Sequence, residues 1–330
     1  MGVMEKIIDS ITMYVDVYFF KIAGLFFFFL IFSSMALLLP GKKDRERSKK
    51  NKGAEDKEED KPSLSYFTRV HDINGVFYKD FKLELGYYLF NLFLTSLLVG
   101  GIVYVLTSYI LPEIIPHQYF AGTVQNFPFW LQIFCGLIIA DLSLFVPHWF
   151  AHHVFWRFHT IHHSAKEIHW LTGLRLHPVD TMVFTIGGVL VSYTIGFEGE
   201  AIVLATFVMT MYNFFVHANI NLGYPKPLCY ILVSPNYHRW HHARDKRAID
   251  KNIATMFPVF DLIMGSYFYP HDEMPKEYGF FEPDKKAKIP EKFEQQLIYP
   301  WIYARARKEN DKKKKLKKKE KGQEDGKNVR

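Results

Sequence analysis

The stretch HWFAHHVFWRFHTIHH, residues 148–163, places six histidines in sixteen positions at the end of a long apolar run. A shorter stretch, HRWHH at 238–242, adds three more histidines. Twelve of the fifteen histidines of the chain lie between positions 148 and 242. This concentration of imidazole groups predicts that they serve one shared function.

The spacing of these histidines is helical. His148 and His152 stand four residues apart, and the pattern HxxHH occurs at 159–163 and again at 238–242. Side chains three and four residues apart share a helix face, so each group can present its imidazoles together. Neutral imidazole is a common metal ligand, and these eight imidazoles exceed the roughly six ligands that one ion takes. The spacing therefore predicts a site for two metal ions.

A single helix over 148–163 would put five histidines within an arc of about 100° and turn His153 away from them. Asp141, seven residues before the first of these histidines, would lie on the same face inside an apolar run. An isolated carboxylate is expensive to bury in a membrane, so we expect Asp141 to pair with the metal or with one of its imidazoles. Arg175 and Asn219 are further candidates for supporting the ligands.

Five apolar runs predict membrane helices. A bilayer core of about 30 Å takes about 20 apolar residues in a helix, and the runs cover residues 22–40, 85–111, 127–147, 179–197 and 201–216. The last has sixteen residues, so it spans the core marginally or packs inside the bundle. The first exceeds the apolar core of a secretory signal and lacks a small-residue cleavage site, so we expect a retained helix. The predicted fold class is an all-α integral membrane bundle with about five spans.

Basic residues predict the orientation of these spans, because loops rich in lysine and arginine remain in the cytoplasm. Residues 41–83 contain twelve Lys or Arg, residues 304–330 contain thirteen, and the segments 112–127 and 197–200 contain none. Five crossings then place the N-terminus outside and the C-terminus inside. The histidine groups form a cap at the cytosolic face of the membrane in this topology.

The charge pattern also divides the chain. We predict an N-terminal membrane helix (1–40), a charged disordered linker (41–63), a membrane-embedded catalytic domain (64–303) and a lysine-rich disordered tail (304–330). The tail is either solvated or attracted to anionic lipid headgroups. It lacks a folded basic face with interleaved aromatic residues, so nucleic acid is not an expected partner. Cys135 and Cys229 lie apart in apolar surroundings and are expected to be packing residues.

The three histidine groups resemble the histidine boxes of the fatty acid hydroxylase/sterol desaturase superfamily. WRFHTIHHS is similar to the second box of that family, and NIATMFPVFDLIMGSY is similar to the end of its catalytic region. RLHPVD and VHANI supply His177 and His217, which match further family histidines. Trp149 stands where the family commonly has arginine. The similarity covers roughly residues 85–270.

The resemblance implies a helical membrane enzyme that holds two iron ions and uses O2 to hydroxylate or desaturate a lipid such as a sterol or fatty acyl chain. His177 would be a ligand or a residue behind the ligands, and His153 is either a spare neighbour or an alternative ligand. The implied iron ligands are His148, His152, His159, His162, His163, His177, His217, His238, His241 and His242.

The implied chemistry needs single electrons, but the chain has no Gly-x-Gly-x-x-Gly fingerprint for a flavin or nicotinamide. A separate electron-transfer protein is therefore an expected partner, and the lipid substrate is expected to enter from the bilayer. Hydroxylation is slightly preferred over desaturation. The alternatives are a zinc-binding or structural metalloprotein and, in a different class, a membrane cytochrome or metal carrier. The sequence favours a bacterial cell membrane, and an endoplasmic reticulum membrane would fit a eukaryotic source.

Overall fold

The computed structural model describes residues 80–115, 123, 126–196, 200–282 and 288–327. Every regular element in these ranges is helical, and the single strand-like contact in them is an isolated bridge between Ala243 and Tyr278. The prediction of an all-α membrane bundle is confirmed. The predicted N-terminal membrane helix and the charged linker lie outside the described residues.

The first helical stretch runs from Phe81 to Ile114 and is interrupted by two π-helical turns. It consists of α1 (Phe81–Phe90), a π-helical turn (Asn91–Thr95), α2 (Ser96–Val105), a second π-helical turn (Leu106–Ile110) and α3 (Leu111–Ile114). In the first π-helical turn the Asn91 amide donates to the Leu176 carbonyl at 2.9 Å. This bond ties the stretch to the loop that follows the second histidine group.

The central helix is α4 (Phe129–His153), which carries the first histidines at its end. A short helix α5 (Trp156–His159) follows, and then α6 (Pro178–Ile195) and α7 (Glu200–Val216) pack along α4. Close packing depends on small residues, as is common between membrane helices. A Cβ atom at Gly187 of α6 would lie only 2.8 Å from the Pro147 Cβ of α4.

Within the described residues, three helical regions are long and apolar enough to cross a membrane: Leu97–Ile114, Phe129–His153 and Pro178–Ile195. The helix Ala201–Val216 is apolar but shorter. The first of these regions begins twelve residues later than the run predicted at 85–111, because the start of that run is the partly buried helix α1, which packs against the C-terminal helix. The total of five spans remains a prediction, since its first member lies outside the described residues.

After α7 the chain forms irregular segments with two short helices, α8 (Pro235–His241) and α9 (Val259–Met264). Part of these segments packs against the membrane helices well before the end of α4. Met256 forms a core cluster with Ala140 and Met209, and Phe257 and Leu232 pack at its edge. The cluster lies about 12 Å along α4 from the first histidine at 1.5 Å per residue, so this non-helical chain runs beside the apolar part of the helix.

The last helix, α10 (Phe293–Lys327), extends through most of the region that was expected to be a disordered tail. Lysine, glutamate, arginine, alanine and leucine all have high helix propensity. The start of the helix is also anchored, because Tyr299 and Tyr303 are buried against Tyr87 and Phe280. The structure therefore corrects the disordered tail to a helix through Lys327.

Candidate metal centre

The interpretation of residues 148–163 as a single helix does not match the structure. Helix α4 ends at His153, α5 covers four residues, and His162–Ser164 form a 3-10 turn. In a continuous helix His148 and His159 would lie about 16 Å apart along the axis. The break after α4 brings their ring centroids to 5.0 Å.

The imidazoles gather into two groups. In the first, which we name the five-histidine cluster, one ring nitrogen from each residue lies within 4.8 Å of all the others; its members are His148, His152, His159, His163 and His241. The second, the four-histidine cluster, meets the same criterion; its members are His162, His217, His238 and His242. All nine side chains are buried, and the clusters adjoin, with 4.7 Å between the ring centroids of His163 and His242.

Each HxxHH motif contributes to both clusters. In the motif at 159–163 the first and last histidines join the five-histidine cluster, and the middle one joins the four-histidine cluster. The motif at 238–242 divides the opposite way, so that only His241 joins the five-histidine cluster. The spacing of three and four residues thus spreads the side chains of one motif between two neighbouring points.

Backbone carbonyls orient two members of the five-histidine cluster. His148 Nδ1 donates to the Ile253 carbonyl at 2.8 Å, and His241 Nδ1 donates to the Lys251 carbonyl at 2.8 Å. A carbonyl oxygen can only accept, so Nδ1 carries the proton in both rings. The Nε2 lone pair of each ring is then free to bind a metal ion.

Carboxylates orient two further members. His159 Nδ1 lies 2.7 Å from Asp180 Oδ2, and His152 Nδ1 lies 3.2 Å from Asp250 Oδ1. Asp180 is fully buried, whereas the Asp250 side chain is 45% exposed. The hydrogen bond from His152 lowers the pKa of Asp250, which keeps this acceptor ionised. The ionised Asp250 also brings negative charge close to a site that would hold a cation.

The inward nitrogens of this cluster fit a metal ion. Within the described part of the chain, the buried Nε2 atoms of His148, His159 and His241 have no hydrogen-bond partner. A buried polar atom left in this way costs about 1–3 kcal/mol unless it has another function, such as metal coordination. The Nε2 atoms of His152 and His163 lie 3.2 Å apart, and adjacent nitrogens bound to one ion at about 2.1 Å lie about 3.0–3.4 Å apart.

The four-histidine cluster has the same inward geometry but fewer external anchors. His217 Nδ1 donates to the Asn213 carbonyl at 2.7 Å, and its Nε2 lies 2.9 Å from His238 Nε2 and 3.3 Å from His242 Nε2. The buried Nδ1 atoms of His162, His238 and His242 have no partner among the described residues. Three of the four rings therefore have one nitrogen that neither the backbone nor a carboxylate orients.

Burial keeps the clustered imidazoles neutral. Desolvation, reinforced by neighbouring imidazoles, lowers the pKa of six of them well below the ordinary value; these are His159, His162, His163, His238, His241 and His242. Burial also lowers the pKa of His217 to about 4. A neutral imidazole has a free lone pair, so protons compete weakly with a metal ion for these nitrogens near neutral pH.

Two histidines considered from the sequence lie outside both clusters. His177 precedes α6, where its Nδ1 accepts from the Val179 N–H at 3.1 Å and its Nε2 donates to the Leu297 carbonyl at 2.9 Å. Both of its nitrogens are engaged in capping and connecting helices, so the structure does not bring His177 into either cluster, and its role as a ligand or as a residue behind the ligands stays a prediction. His153 stacks on Trp149 and donates to the Trp149 carbonyl at 2.8 Å.

Asp141 binds backbone rather than an imidazole or the metal. Its carboxylate accepts from the N–H groups of Thr255, Met256 and Phe257 at 3.2, 3.1 and 2.7 Å. Non-helical backbone beside the apolar part of a membrane helix has no water to bind, so it needs acceptors of this kind. The structure therefore corrects the expected partner of Asp141.

The other supporting candidates occupy different places. Arg175 donates to Asp80 at 2.9 Å and lies 4.0 Å from Glu84, and it thus connects the loop before α6 to the start of α1. Asn219 lies partly buried in the bend two residues after His217.

One segment, residues 250–257, organises much of the five-histidine cluster. Its first four residues supply the acceptors for His152, His241 and His148, namely the Asp250 carboxylate and two carbonyls. Asp261 accepts from the N–H groups of residues 253 and 254 at 2.9 Å each, and Asp141 accepts from the next three. Asp250 and Asn252 have φ angles of 54° and 58°, a left-handed conformation that aspartate and asparagine adopt more readily than most residues other than glycine.

The acceptors Asp180 and Asp250 were not predicted from the sequence. Asp180 stands in the same HPVD motif as His177 and opens an apolar helix, so its charge at that position was a usable signal. The role of Asp250 follows from a left-handed turn that the sequence does not mark with glycine.

A cavity of about 860 Å³ adjoins the five-histidine cluster. His152, His163 and His241 line its inner end, and residues of 243–250, 279–281 and α10 form its walls. The size is within the usual range for small-molecule sites. The cluster is thus buried but adjacent to a space that can hold a ligand.

Comparison with known proteins agrees with this geometry. Residues 133–266 match the sequence model of the fatty acid hydroxylase family, and all nine clustered histidines lie within that range. Ornithine lipid hydroxylase OlsE from Rhizobium tropici is 27% identical over 179 residues, covering 54% of this chain and 52% of the relative.

Alkylglycerol monooxygenase is similar over a smaller share of its length. The Homo sapiens protein is 30% identical over 158 residues, which cover 47% of this chain and 33% of the relative. The Caenorhabditis elegans protein is 27% identical over 154 residues, which cover 46% of this chain and 29% of the relative. The chain therefore spans about half of one relative and about a third of the others. No solved structure matches the chain significantly. Over residues 133–266 the chain is therefore similar to members of the fatty acid hydroxylase/sterol desaturase superfamily.

Proposed function

We propose that this protein is an O2-dependent lipid oxidoreductase that hydroxylates a C–H bond at two iron ions, one held by each histidine cluster. The observation that carries the proposal is the pair of adjacent, buried clusters of five and four imidazoles. Nine nitrogens exceed the roughly six positions around one ion but suit two ions that retain open positions. The similarity to a lipid hydroxylase and to monooxygenases supports the reaction class.

Iron is proposed over other metals because the histidine motifs resemble those of a superfamily whose members hold two iron ions. A nitrogen-only ligand set suits zinc, copper, nickel or iron equally well in its donor chemistry. The alternative is a zinc-binding or structural membrane protein on the same scaffold. The cavity beside the five-histidine cluster favours the enzyme, because a purely structural metal site needs no adjacent space for a ligand.

The protein residues supply position and environment. When bound, the irons would supply O2 activation and hydrogen removal from an unactivated carbon. The carbonyls of residues 251 and 253 and the carboxylates of Asp180 and Asp250 hold the imidazole protons on Nδ1, so that each Nε2 stays directed inward. Burial of the clusters excludes bulk water, and the cavity allows a lipid carbon to approach the five-histidine cluster.

The cellular arrangement is part of the proposal. The protein is integral to the membrane, and we place its spans so that the clusters and α10 face the cytosol, as the positive-inside rule requires. A separate electron-transfer protein would then deliver electrons from the cytosolic side. The lipid would enter from the bilayer.

The direct test follows labelled oxygen into a lipid. Purified iron-loaded protein, an electron donor system and pools of sterols, fatty acyl lipids and glycerolipids are incubated with isotopically labelled dioxygen, and products are analysed by mass spectrometry. We expect one labelled oxygen atom in a hydroxylated lipid, and no product from His162→Ala or His241→Ala protein. These variants each remove one ligand from a different cluster.

Two results would change the proposal. A product that carries an added double bond and no label would replace hydroxylation with desaturation. Folded protein that holds zinc, does not accept iron and consumes no O2 with any lipid would support the structural alternative.

A further inference from the structure

We propose that the cavity beside the five-histidine cluster binds the phosphate-bearing headgroup of an anionic lipid through a cationic wall on α10. This inference extends the proposed lipid oxidation by naming the substrate class. The wall consists of Arg307, Lys308, Lys312 and Lys315 of α10, with Arg157 from the neighbouring helix. Among the lining residues there are five such cations and two carboxylates, Asp250 and Asp311, so the cavity is positively charged.

The cationic residues share one face of the helix. Successive members of the set are one, four and three residues apart, and residues three or four apart lie on the same side of a helix. The set is Arg307, Lys308, Lys312 and Lys315. Lys313 and Lys314, between them in sequence, do not line the cavity. The lysine run is therefore divided into a face that borders the cavity and a face that does not.

These charges are available to a ligand. In the described ranges no carboxylate lies within ion-pair distance of the cationic groups of Arg157, Lys308, Lys312 or Lys315. Asp250 is already engaged with His152. Several cations spread along one face suit a phosphate group, which offers several charged oxygens at once.

The rest of the cavity fits the apolar part of an amphiphile. Val154, Ile249 and Phe281 line it and are 61%, 52% and 42% exposed, while Trp156 and Phe280 line its inner part. The Trp156 ring lies 5.2 Å from the rings of both His152 and His163. An amphiphile with its charge on α10 would thus extend apolar carbons toward the histidines.

The dimensions indicate which part of the lipid is oxidised. Tyr303 accepts a hydrogen bond from Trp156 at 3.0 Å and so marks the inner end of the wall. Lys315 follows twelve residues later, about 18 Å along the helix at 1.5 Å per residue. A headgroup held by Arg307 and Lys308, about 6–8 Å along the helix from that end, leaves a short path to the five-histidine cluster, so its reacting carbon lies near the headgroup. A headgroup held only at Lys315 would place the reacting carbon farther along the chain.

A concave lipid site is favoured over a docking surface for an acidic protein. The cavity encloses about 860 Å³ and ends at buried imidazoles, a depth that suits a small amphiphile. Its α10 wall also lies beyond the segment that matches the family, which ends at residue 266. The proposed headgroup contacts therefore come from a helix outside the matched segment.

The test measures binding without metal or turnover, so its result is independent of whether the oxygenase proposal holds. Full-length protein in neutral detergent is titrated by calorimetry with monomeric short-chain phosphatidic acid, the matching neutral diacylglycerol and inorganic phosphate. Lys312→Glu/Lys315→Glu removes two cations from the cavity wall. Lys313→Glu/Lys314→Glu makes the same charge change on the other face and serves as the control.

We expect wild-type protein to bind phosphatidic acid at least tenfold more tightly than the neutral lipid or free phosphate. The cavity variant should lose at least about tenfold in affinity, since each basic residue near an anionic headgroup contributes roughly 1 kcal/mol, and the control should stay within about twofold. If both variants lost the same affinity for phosphatidic acid, the proposed site would be wrong, and general attraction between the basic helix and the anionic lipid would explain the binding. Tight binding of free phosphate would replace the lipid with a free anion. Binding of an acidic soluble cytochrome, but of no anionic lipid, would assign the wall to a protein partner.

Discussion

The two histidine clusters differ in what lies behind their rings. In the five-histidine cluster, four imidazoles donate outward to two carboxylates and two carbonyls. In the four-histidine cluster only His217 has such a bond to a described residue, and burial together with the buried guanidinium of Arg239 lowers the pKa of that histidine. Negative charge thus supports one site, and positive charge lies near the other. From this difference we expect the two clusters to differ in metal affinity although their ligands are the same.

The largest expected effect is a difference in metal retention between the clusters. Oriented outer partners raise metal affinity by about 10–100-fold, so the five-histidine cluster should hold its ion more tightly by up to that factor. Titration of metal-loaded protein with a chelator, followed by metal analysis, should show two release steps of about one ion each. A single step that releases both ions together would remove the distinction between the sites.

Asp180→Asn should weaken the tighter site selectively. The buried carboxyl group that lies against His159 Nδ1 becomes an amide, which can offer a donor instead of an acceptor. We expect the metal affinity of the five-histidine cluster to fall by about tenfold or more. Its ion should then be released at a chelator concentration closer to that which empties the four-histidine cluster. Ser192→Ala changes a residue of the same helix that contacts Ser143 and no histidine, and it should leave both steps in place.

Asp250→Asn should have a smaller effect on the same site. The Asp250 side chain is 45% exposed, so water screens its charge and can replace part of its contact with His152. We expect a loss of about threefold in affinity at the five-histidine cluster. Asp245→Asn, which alters an exposed pair with Arg247, is the matched control. If Asp250→Asn and Asp180→Asn lowered the metal affinity equally, burial of the carboxyl group would not determine how much it contributes to metal binding.

The smallest expected effect is the pH dependence of metal-free protein. Unfolded imidazoles bind protons near their ordinary pKa of about 6.5, whereas burial lowers the pKa of the clustered imidazoles, that of His217 to about 4. The unfolded state therefore binds more protons below about pH 6.5, and the free energy of unfolding falls as the pH falls from there. Calorimetry should show a melting midpoint that drops by about 5 °C or more between pH 7 and pH 5. A flat profile would contradict neutral, buried imidazoles.

Much of the site was predictable because its signals are local. The helical spacing of the motif histidines and the match of His217 identified all nine residues that the structure brings together. The apolar runs likewise predicted membrane helices, since length and composition suffice for that conclusion.

The remainder depends on tertiary contacts. The division of each HxxHH motif between two clusters follows from the break after His153 and from the crossing of distant segments. The carbonyls of residues 251 and 253 have no side-chain signature at all. Asp141 was recognised as important, but its partners lie more than 110 positions away in sequence. His177 matched a family position while its two nitrogens bind a helix start and a carbonyl.

The measurement that tests the central claim most directly is the metal content of folded protein from iron-replete cells, determined by mass spectrometry. Two clusters predict about two irons per chain in the wild type and about one in each of His241→Ala and His242→Ala, which are adjacent residues from different clusters. His153→Ala, a neighbouring histidine outside both clusters, should retain about two. A wild type with a single ion, or with none in well-folded protein, would contradict the account.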